Sequence, residues 1–237
     1  MSKHAVVLAG GQGTRLRPYT LVLPKPLMPI GEFPILEVII RQLAYYGFTT
    51  ITLAVNHQAS IIKAFFGDGA SWGVKIDYAL EDMPLGTMGP LKRMKNLPEN
   101  FLVMNGDILT DLDFCKFYEN HEKKGNIFTI SSYQREHIVD YGVLEPDEHG
   151  FLRAFNEKPK LKYEVSMGVY MLNRSVIEMI PVNKAYGFDN LMLDLIAAGT
   201  PAAIKLFHGY WLDIGRPDDY IKAIEEFEKL RSNFLNE

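Results

Sequence analysis

Two short segments near the amino terminus carry residue types suited to phosphate. Leu8-Ala9-Gly10-Gly11-Gln12-Gly13-Thr14-Arg15-Leu16-Arg17-Pro18 follows directly on a short apolar run, and Pro24-Lys25-Pro26-Leu27 comes soon after it. Three glycines at the mouth of a strand let the backbone approach a ligand closely and present several amide N–H groups. Arg15 and Lys25 add cationic donors that match phosphate oxygens. The chemistry implied is the handling of a polyphosphate; the plain alternative is a glycine-rich turn with two surface cations. Two familiar phosphate loops are excluded. A P-loop needs Gly-Lys-Ser/Thr, and here Thr14-Arg15 follows Gly13; the dinucleotide fingerprint needs a further glycine where Leu16 stands.

Two carboxylates stand in suggestive surroundings. Asp107 follows the apolar run Phe101 to Met104 within Asn105-Gly106-Asp107, where an acid at a strand end can reach a bound phosphate–metal unit. Asp213 lies within Trp211-Leu212-Asp213-Ile214-Gly215-Arg216-Pro217, and an acid among Trp, Leu and Ile needs a partner to be tolerated. Only the fold can bring these two together. Asp111 and Asp113 read as a turn residue and a helix N-cap.

The elements that must position these groups alternate through the first half. His4 to Leu8 reads as a buried strand, Ile35 to Tyr46 as a helix stopped by Gly47, Thr50 to Val55 as a strand, and Ser60 to Phe66 as a helix ending at Gly67. Val74 to Ala79 is a strand, Pro90 to Met94 a helix entry, and Phe101 to Met104 a central strand. This alternation predicts a Rossmann-like, three-layer α/β fold around a mostly parallel sheet, with ligands at the carboxyl ends of the strands. After Asn126 the runs 127–133, 142–145, 151–156 and 165–172 read as strands with short connections. They suggest an inserted, partly antiparallel sheet over the carboxyl edge. Phe188 to Ala198 and Asp218 to Arg231 read as closing helices. The chain is expected to be one domain, with residues up to about 125 meeting one substrate and 126–237 the other. Gln58 reads either as a pocket residue or as a helix start.

Composition narrows the classes. At 47% hydrophobic and 23% charged residues, the 237-residue chain has the make-up of a soluble globular protein. A net charge of −4 argues against a nucleic-acid partner, so an anionic ligand must be met by locally placed cations and a metal. Cys115 is the only cysteine, which rules out an intrachain disulfide. Neither a signal-peptide pattern nor a membrane-spanning stretch is legible. The expectation is a cytoplasmic chain with no membrane partner.

The compound pattern Gly-Gly-x-Gly-Thr-Arg-Leu-x-Pro followed by Pro-Lys-Pro-Leu resembles the signature of the sugar-1-phosphate nucleotidyltransferases, and further segments resemble their guanylyl-transferring members. The resemblance runs from residue 5 to about residue 220. It implies attack of a sugar-1-phosphate oxygen on the α-phosphorus of a nucleoside triphosphate, with release of pyrophosphate. It further implies that Arg15 holds the leaving pyrophosphate and that Lys25 spans the triphosphate and the α-phosphorus. Asp107 and Asp213 would supply the protein ligands to Mg²⁺, a metal that keeps one or two carboxylates beside substrate phosphates and water. Leu8, Ala9, Gly10, Gly11, Gly13 and Thr14 would surround the nucleotide. The segment Glu81 to Gly89 (EDMPLGTMG), with Gly86, would help read the base. Two acceptor oxygens on Glu81 suit the adjacent N1–H and N2 amino donors of guanine, which favours GTP.

Gly142 in Tyr141-Gly142-Val143 and the Glu157-Lys158-Pro159 segment resemble the sugar-phosphate half of the site, with Lys158 on the phosphate and Glu157 on sugar hydroxyls. One position departs from the pattern: Ser166 stands where the family usually has asparagine. Serine has a shorter reach and no amide donor, so either the sugar differs from mannose or glucose nearby or a water fills the gap. Other readings are a uridylyl-, thymidylyl- or cytidylyltransferase, an enzyme acting on a phosphorylated alcohol, and a nucleotide-sugar-sensing regulatory subunit. The chemical residues retained at Arg15, Lys25, Asp107 and Asp213 speak against the last. A homo-oligomer is left open.

Overall fold

A computed structural model describes residues 2–56 and 58–235. The first strand, β1 (Lys3–Leu8), lies inside the sheet, and Ala5, Val6 and Val7 are wholly buried because both of its faces are covered. Three 3₁₀ turns and a minute hairpin, β2 (Pro29–Ile30) and β3 (Phe33–Pro34), lead into α1 (Ile35–Tyr45). Then come β4 (Phe48–Val55), α2 (Ala59–Phe66) and β5 (Lys75–Leu80). These strands stack outward from β1, all parallel. A 3₁₀ turn at Gly89–Arg93 brings the chain back to the other side of β1, where β6 (Asn100–Asn105) pairs parallel to it. The strand order therefore reverses between β1 and β6. At such a switch point the connections leave in opposite directions and open a crevice at the carboxyl ends, which here are Leu8 and Asn105.

Beyond β6 follow β7 (Ile108–Thr110), α3 (Phe114–Lys124), β8 (Phe128–Ile138), β9 (Val143–Pro146), β10 (Leu152–Asn156) and β11 (Lys160–Asn173). The chain closes with α4 (Phe188–Ala197), β12 (Ala203–Phe207), β13 (Trp211–Asp213) and α5 (Pro217–Leu235). The main sheet has seven strands in the order β12-β8-β11-β6-β1-β4-β5, with β11 alone running against its neighbours. Ile39, Ile40, Phe114 and Phe227 of α1, α3 and α5 pack one face, and Leu191 and Leu195 of α4 pack the other.

The antiparallel part grows out of this sheet. The expected strands at 127–133 and 165–172 are the inner halves of β8 and β11, two members of the main sheet rather than an insertion above it. A register shift between Ser166 and Tyr170 divides β11. Its later half pairs with β6 from Val169 to Asn173, while residues 160–166 pair only with residues 132–138 and run on past the end of β6 as a two-stranded ribbon. The β9–β10 hairpin is a separate two-stranded sheet in the connection between β8 and β11. Asp113 caps α3 as expected, its carboxylate accepting from the Lys116 amide at 2.8 Å. No helix of the described residues is long and apolar enough to cross a membrane.

Candidate active site

Two clefts meet over the switch point. The first, about 510 Å³, is lined by Leu8, Gly10, Gly11, Glu81, Gly86 and Asp107 among others. The second, about 470 Å³, is lined by Arg15, Arg135, Ser166, Trp211, Asp213 and Arg216 among others. Asn105, at the end of β6, belongs to both. Each is of a size that holds a small ligand.

The glycine loop is built for close approach. Leu16, fully buried, anchors it to the core. Gly13 has φ +60°, and a Cβ there would stand 2.8 Å from Thr20 Cγ2, whose hydroxyl donates to the Gly13 carbonyl at 2.7 Å. Gly13 thus folds the loop, while Gly10 and Gly11 face the cleft. A Cβ at Gly10 would come within 2.9 Å of the Glu81 carboxylate. Ala9 is buried and its amide is given to the Ala54 carbonyl at 2.8 Å; Thr14 is exposed and lines neither cleft. Glu81 stands just after β5. Burial pushes its carboxyl up from the usual range, offset in part by a hydrogen bond from the Leu85 amide and by nearby Arg93. Gly86, at φ +73°, lets this segment close against Tyr186, whose carbonyl accepts from the amides of Met88 and Gly89.

The sequence-distant acids are neighbours. Gln42 of α1 donates to the Thr110 carbonyl at 2.7 Å, fixing β7. Strand β13 pairs antiparallel to β7, with Asp213 opposite Ile108, and the Ile214 amide donates to the Asp107 carbonyl at 3.0 Å. Lys25 is 8% exposed and forms an ion pair with Asp107 Oδ2. A buried ammonium needs such a partner. The other oxygen, Asp107 Oδ1, is buried and has no hydrogen-bond partner among the described residues. Asp213 has its carboxyl pushed up, first by burial and then by the Asp107 charge, with Lys25 and Arg15 pulling the other way. A bare buried acceptor beside a second carboxylate disfavoured as an anion is a donor set that a divalent cation relieves. The two acids therefore fit Mg²⁺. Arg15 is exposed and lines the second cleft, and its guanidinium lies beside Gly215 and Asp213.

The hairpin residues stand apart. Gly142 and Glu157 are adjacent, since a Cβ at Gly142 would sit 3.1 Å from Glu157 Oε2. Glu157 and Lys158 are exposed and line neither cleft. Ser166 does line the second cleft. Gln58 proves to be the helix-start residue of α2, outside both clefts. Sequence reasoning missed Asn56, Asn105, Arg135 and Arg216. For Asn105 the Asn-Gly-Asp triplet was a signal; for Arg135, in the exposed half of a long strand, there was none.

Fold and site together define a doubly wound α/β protein with two ligand-sized clefts at its switch point. The nucleotidyl transferase family model matches residues 4–229, so the chain belongs to that family. It is 35% identical to a UTP–glucose-1-phosphate uridylyltransferase of Synechocystis, over 93% of this chain and 62% of the relative. It is also 35% identical to a probable mannose-1-phosphate guanylyltransferase of Oryza sativa, over 93% of this chain and 63% of the relative. The chain thus spans less than two thirds of the length of these relatives. Among solved structures, HddC from Yersinia pseudotuberculosis superposes with a TM-score of 0.74 at 30% identity, over 95% of this chain and 99% of that one. The same Yersinia protein has been crystallised with GMP-PN, a structure that superposes at 0.73.

Proposed function

We propose that this chain transfers a nucleotidyl group from a nucleoside triphosphate to a sugar-1-phosphate in the cytoplasm, with GTP and mannose-1-phosphate or a related hexose or heptose phosphate as the favoured pair. The observation that carries the reading is the meeting of Asp107 and Asp213, with Lys25, where two ligand-sized clefts adjoin. The nucleotide belongs in the cleft of the glycine loop and Glu81 and the acceptor sugar in the cleft of Ser166 and Trp211, with Arg15 at the Asp213 end, where the triphosphate reaches it. An acceptor phosphate oxygen forms a bond to the α-phosphorus as the bond to the β-phosphate oxygen breaks. That nucleophile is already an anion, so no general base is required and the work is positioning and charge neutralisation. Mg²⁺ held by Asp107 and Asp213 would supply Lewis-acid neutralisation of the phosphates. Arg15 neutralises the leaving pyrophosphate from the cleft rim. Lys25 leaves Asp107 for the α-phosphate. Gly142, Glu157 and Lys158 meet the sugar from the hairpin.

The guanine assignment rests on Glu81, whose carboxylate faces the first cleft, and draws support from the GMP-PN complex of the Yersinia protein. The Synechocystis relative supports a uridylyl reading equally in identity. A panel of GTP, UTP, dTTP and CTP against mannose- and glucose-1-phosphate, scored by pyrophosphate release, separates them. With guanine as the base, Glu81→Gln lowers the GTP-to-UTP ratio of kcat/KM by about tenfold, on the order of 1–3 kcal/mol for a two-point polar readout by analogy with base reading in nucleic acids. A wild type that prefers UTP, or a ratio that stays put in the variant, overturns the guanine assignment and leaves the transfer chemistry standing.

A further inference from the structure

Three arginines, Arg15, Arg135 and Arg216, line the acceptor cleft, and among the described residues none of their guanidinium groups has an ion-pair or hydrogen-bond partner. Arg15 and Arg216 flank the Asp213 end. Arg135 stands elsewhere, on the overhanging half of β8, with its guanidinium carbon 4.8 Å from the centre of the Trp211 ring. Trp211 is held in turn by its Nε1, which donates to the Met167 carbonyl at 3.0 Å, and by Tyr133, whose ring lies 5.3 Å away. Trp211 and Asp213 share one strand and one face, and alternate residues of a strand are about 6.5 Å apart. A sugar-1-phosphate with its phosphate at Asp213 therefore extends its other end toward Trp211 and Arg135.

Donors for that end must come from somewhere. Ser166 cannot provide one, because its hydroxyl donates to the Tyr170 hydroxyl at 3.1 Å and accepts from the Gly168 amide at 3.2 Å. The hydroxyl is consumed by the turn it sits in. The Glu157-Lys158 pair, assigned to the sugar from the hairpin side, is not among the residues that line the cleft around Trp211. Arg135 brings five N–H donors and no acceptor, fixed in orientation by stacking on an indole.

We infer that Arg135 is a specificity-determining residue that reads the end of the acceptor sugar remote from the transferring phosphate, selecting sugars that carry oxygens there, hydroxyl or carboxylate, over deoxy and amino sugars. A donor-only group gains from an oxygen, gains nothing from a methyl and is repelled by an ammonium. The inference rests on the acceptor being a sugar-1-phosphate and adds which part of it this chain discriminates.

The test compares glucose-1-phosphate, 6-deoxyglucose-1-phosphate, glucuronic acid-1-phosphate and 6-amino-6-deoxyglucose-1-phosphate as acceptors for wild type, Arg135→Ala and Arg135→Lys, with the preferred nucleotide saturating. The wild type is expected to favour the hydroxyl and carboxylate acceptors by tenfold or more. In Arg135→Ala that preference should fall to within about threefold through a rise in acceptor KM, with nucleotide KM and the kcat for the best acceptor little changed. Arg135→Lys, keeping the charge but losing the planar stack, should restore part of the preference. Because Arg135 is exposed, both variants should melt with the wild type, and a merely structural residue would not shift one acceptor against another. An unchanged preference in Arg135→Ala, with turnover intact, overturns the inference alone. No nucleotidyl transfer by the wild type to any sugar-1-phosphate overturns both the inference and the function it rests on.

Discussion

At the scale of single residues, the site is a problem in placing charge. Lys25, buried, and Asp107, half-buried, neutralise each other, yet among the described residues one Asp107 oxygen finds no hydrogen-bond partner, and Asp107 sits near enough to Asp213 to push its carboxyl upward. Lys25→Ala then leaves two carboxylates facing each other. The loss of a hydrogen-bonded charge partner should cost about 1–3 kcal/mol of stability. Millimolar Mg²⁺, which binds the folded state, should recover part of it. Thermal melts with and without Mg²⁺ read this directly, and a variant whose melting temperature ignores Mg²⁺ contradicts the metal assignment. Division of the site gives a second expectation. Arg15→Ala should depress turnover, whereas Lys158→Ala should raise the KM of the sugar-1-phosphate. Identical kinetic signatures for the two would contradict assigning one to each substrate. Most of these residues were legible in the sequence, because a glycine loop with Arg and Lys at set spacing and an acid after a buried strand are local patterns. Arg135 was not legible. Its guanidinium packs on Trp211 of a distant strand, and no local pattern encodes that contact.

At the scale of elements, one turn joins the two clefts. The register shift in β11 brings Gly168 onto Asn105, the residue the clefts share. Gly168 has φ +74°, and a Cβ there would stand 2.6 Å from Asn105 Nδ2 and 2.9 Å from Ile108 Cδ1. Gly168→Ala combines left-handed strain with a collision, so it should destabilise the fold by about 1–3 kcal/mol. It should also lower kcat by displacing Asn105, which urea melts and initial rates would show together. A variant as stable and active as wild type would mean that the turn relaxes freely. The parallel half of the sheet followed from its apolar runs, where the centres of β1, β4 and β6 are apolar and buried on both sides. The second half was read less well. Strands β8 and β11 begin as buried members of the main sheet and end as an exposed ribbon, so their apolar pattern stops midway and the remainder looks like loop. The short strands β7 and β13 gave no periodic signal of their own, and it is their pairing that brings Asp213 to Asp107.

At the scale of the whole molecule, stability carries its own pH dependence, set away from the site. His121 on α3 is 1% exposed; its Nδ1 lies 2.8 Å from the Thr129 hydroxyl, and its Nε2 has no partner among the described residues. Burial pulls its pKa down to about 4 from the ordinary 6.5. Between those values the unfolded chain binds the proton and the folded chain does not, so stability falls as pH drops from about 6.5 toward 4 and is flat with respect to this group above it. His4, also pulled down by burial, acts in the same sense. Urea midpoints at pH 7 and pH 5 should show the loss, and His121→Gln should flatten it; an unaltered slope would place the effect elsewhere.

The central claim is that this fold joins a nucleotide to a sugar phosphate over a metal held by Asp107 and Asp213. Its most direct test is Mg²⁺-dependent formation of a nucleotide-sugar and pyrophosphate in equal amounts, followed for wild type, Asp107→Asn and Asp213→Asn. The account predicts that wild type makes both products only with a divalent cation. Each variant should keep its circular dichroism spectrum and lose at least a hundredfold in kcat, about 2.7 kcal/mol of barrier. A folded variant within threefold of wild type, or transfer that persists in excess chelator, would contradict it.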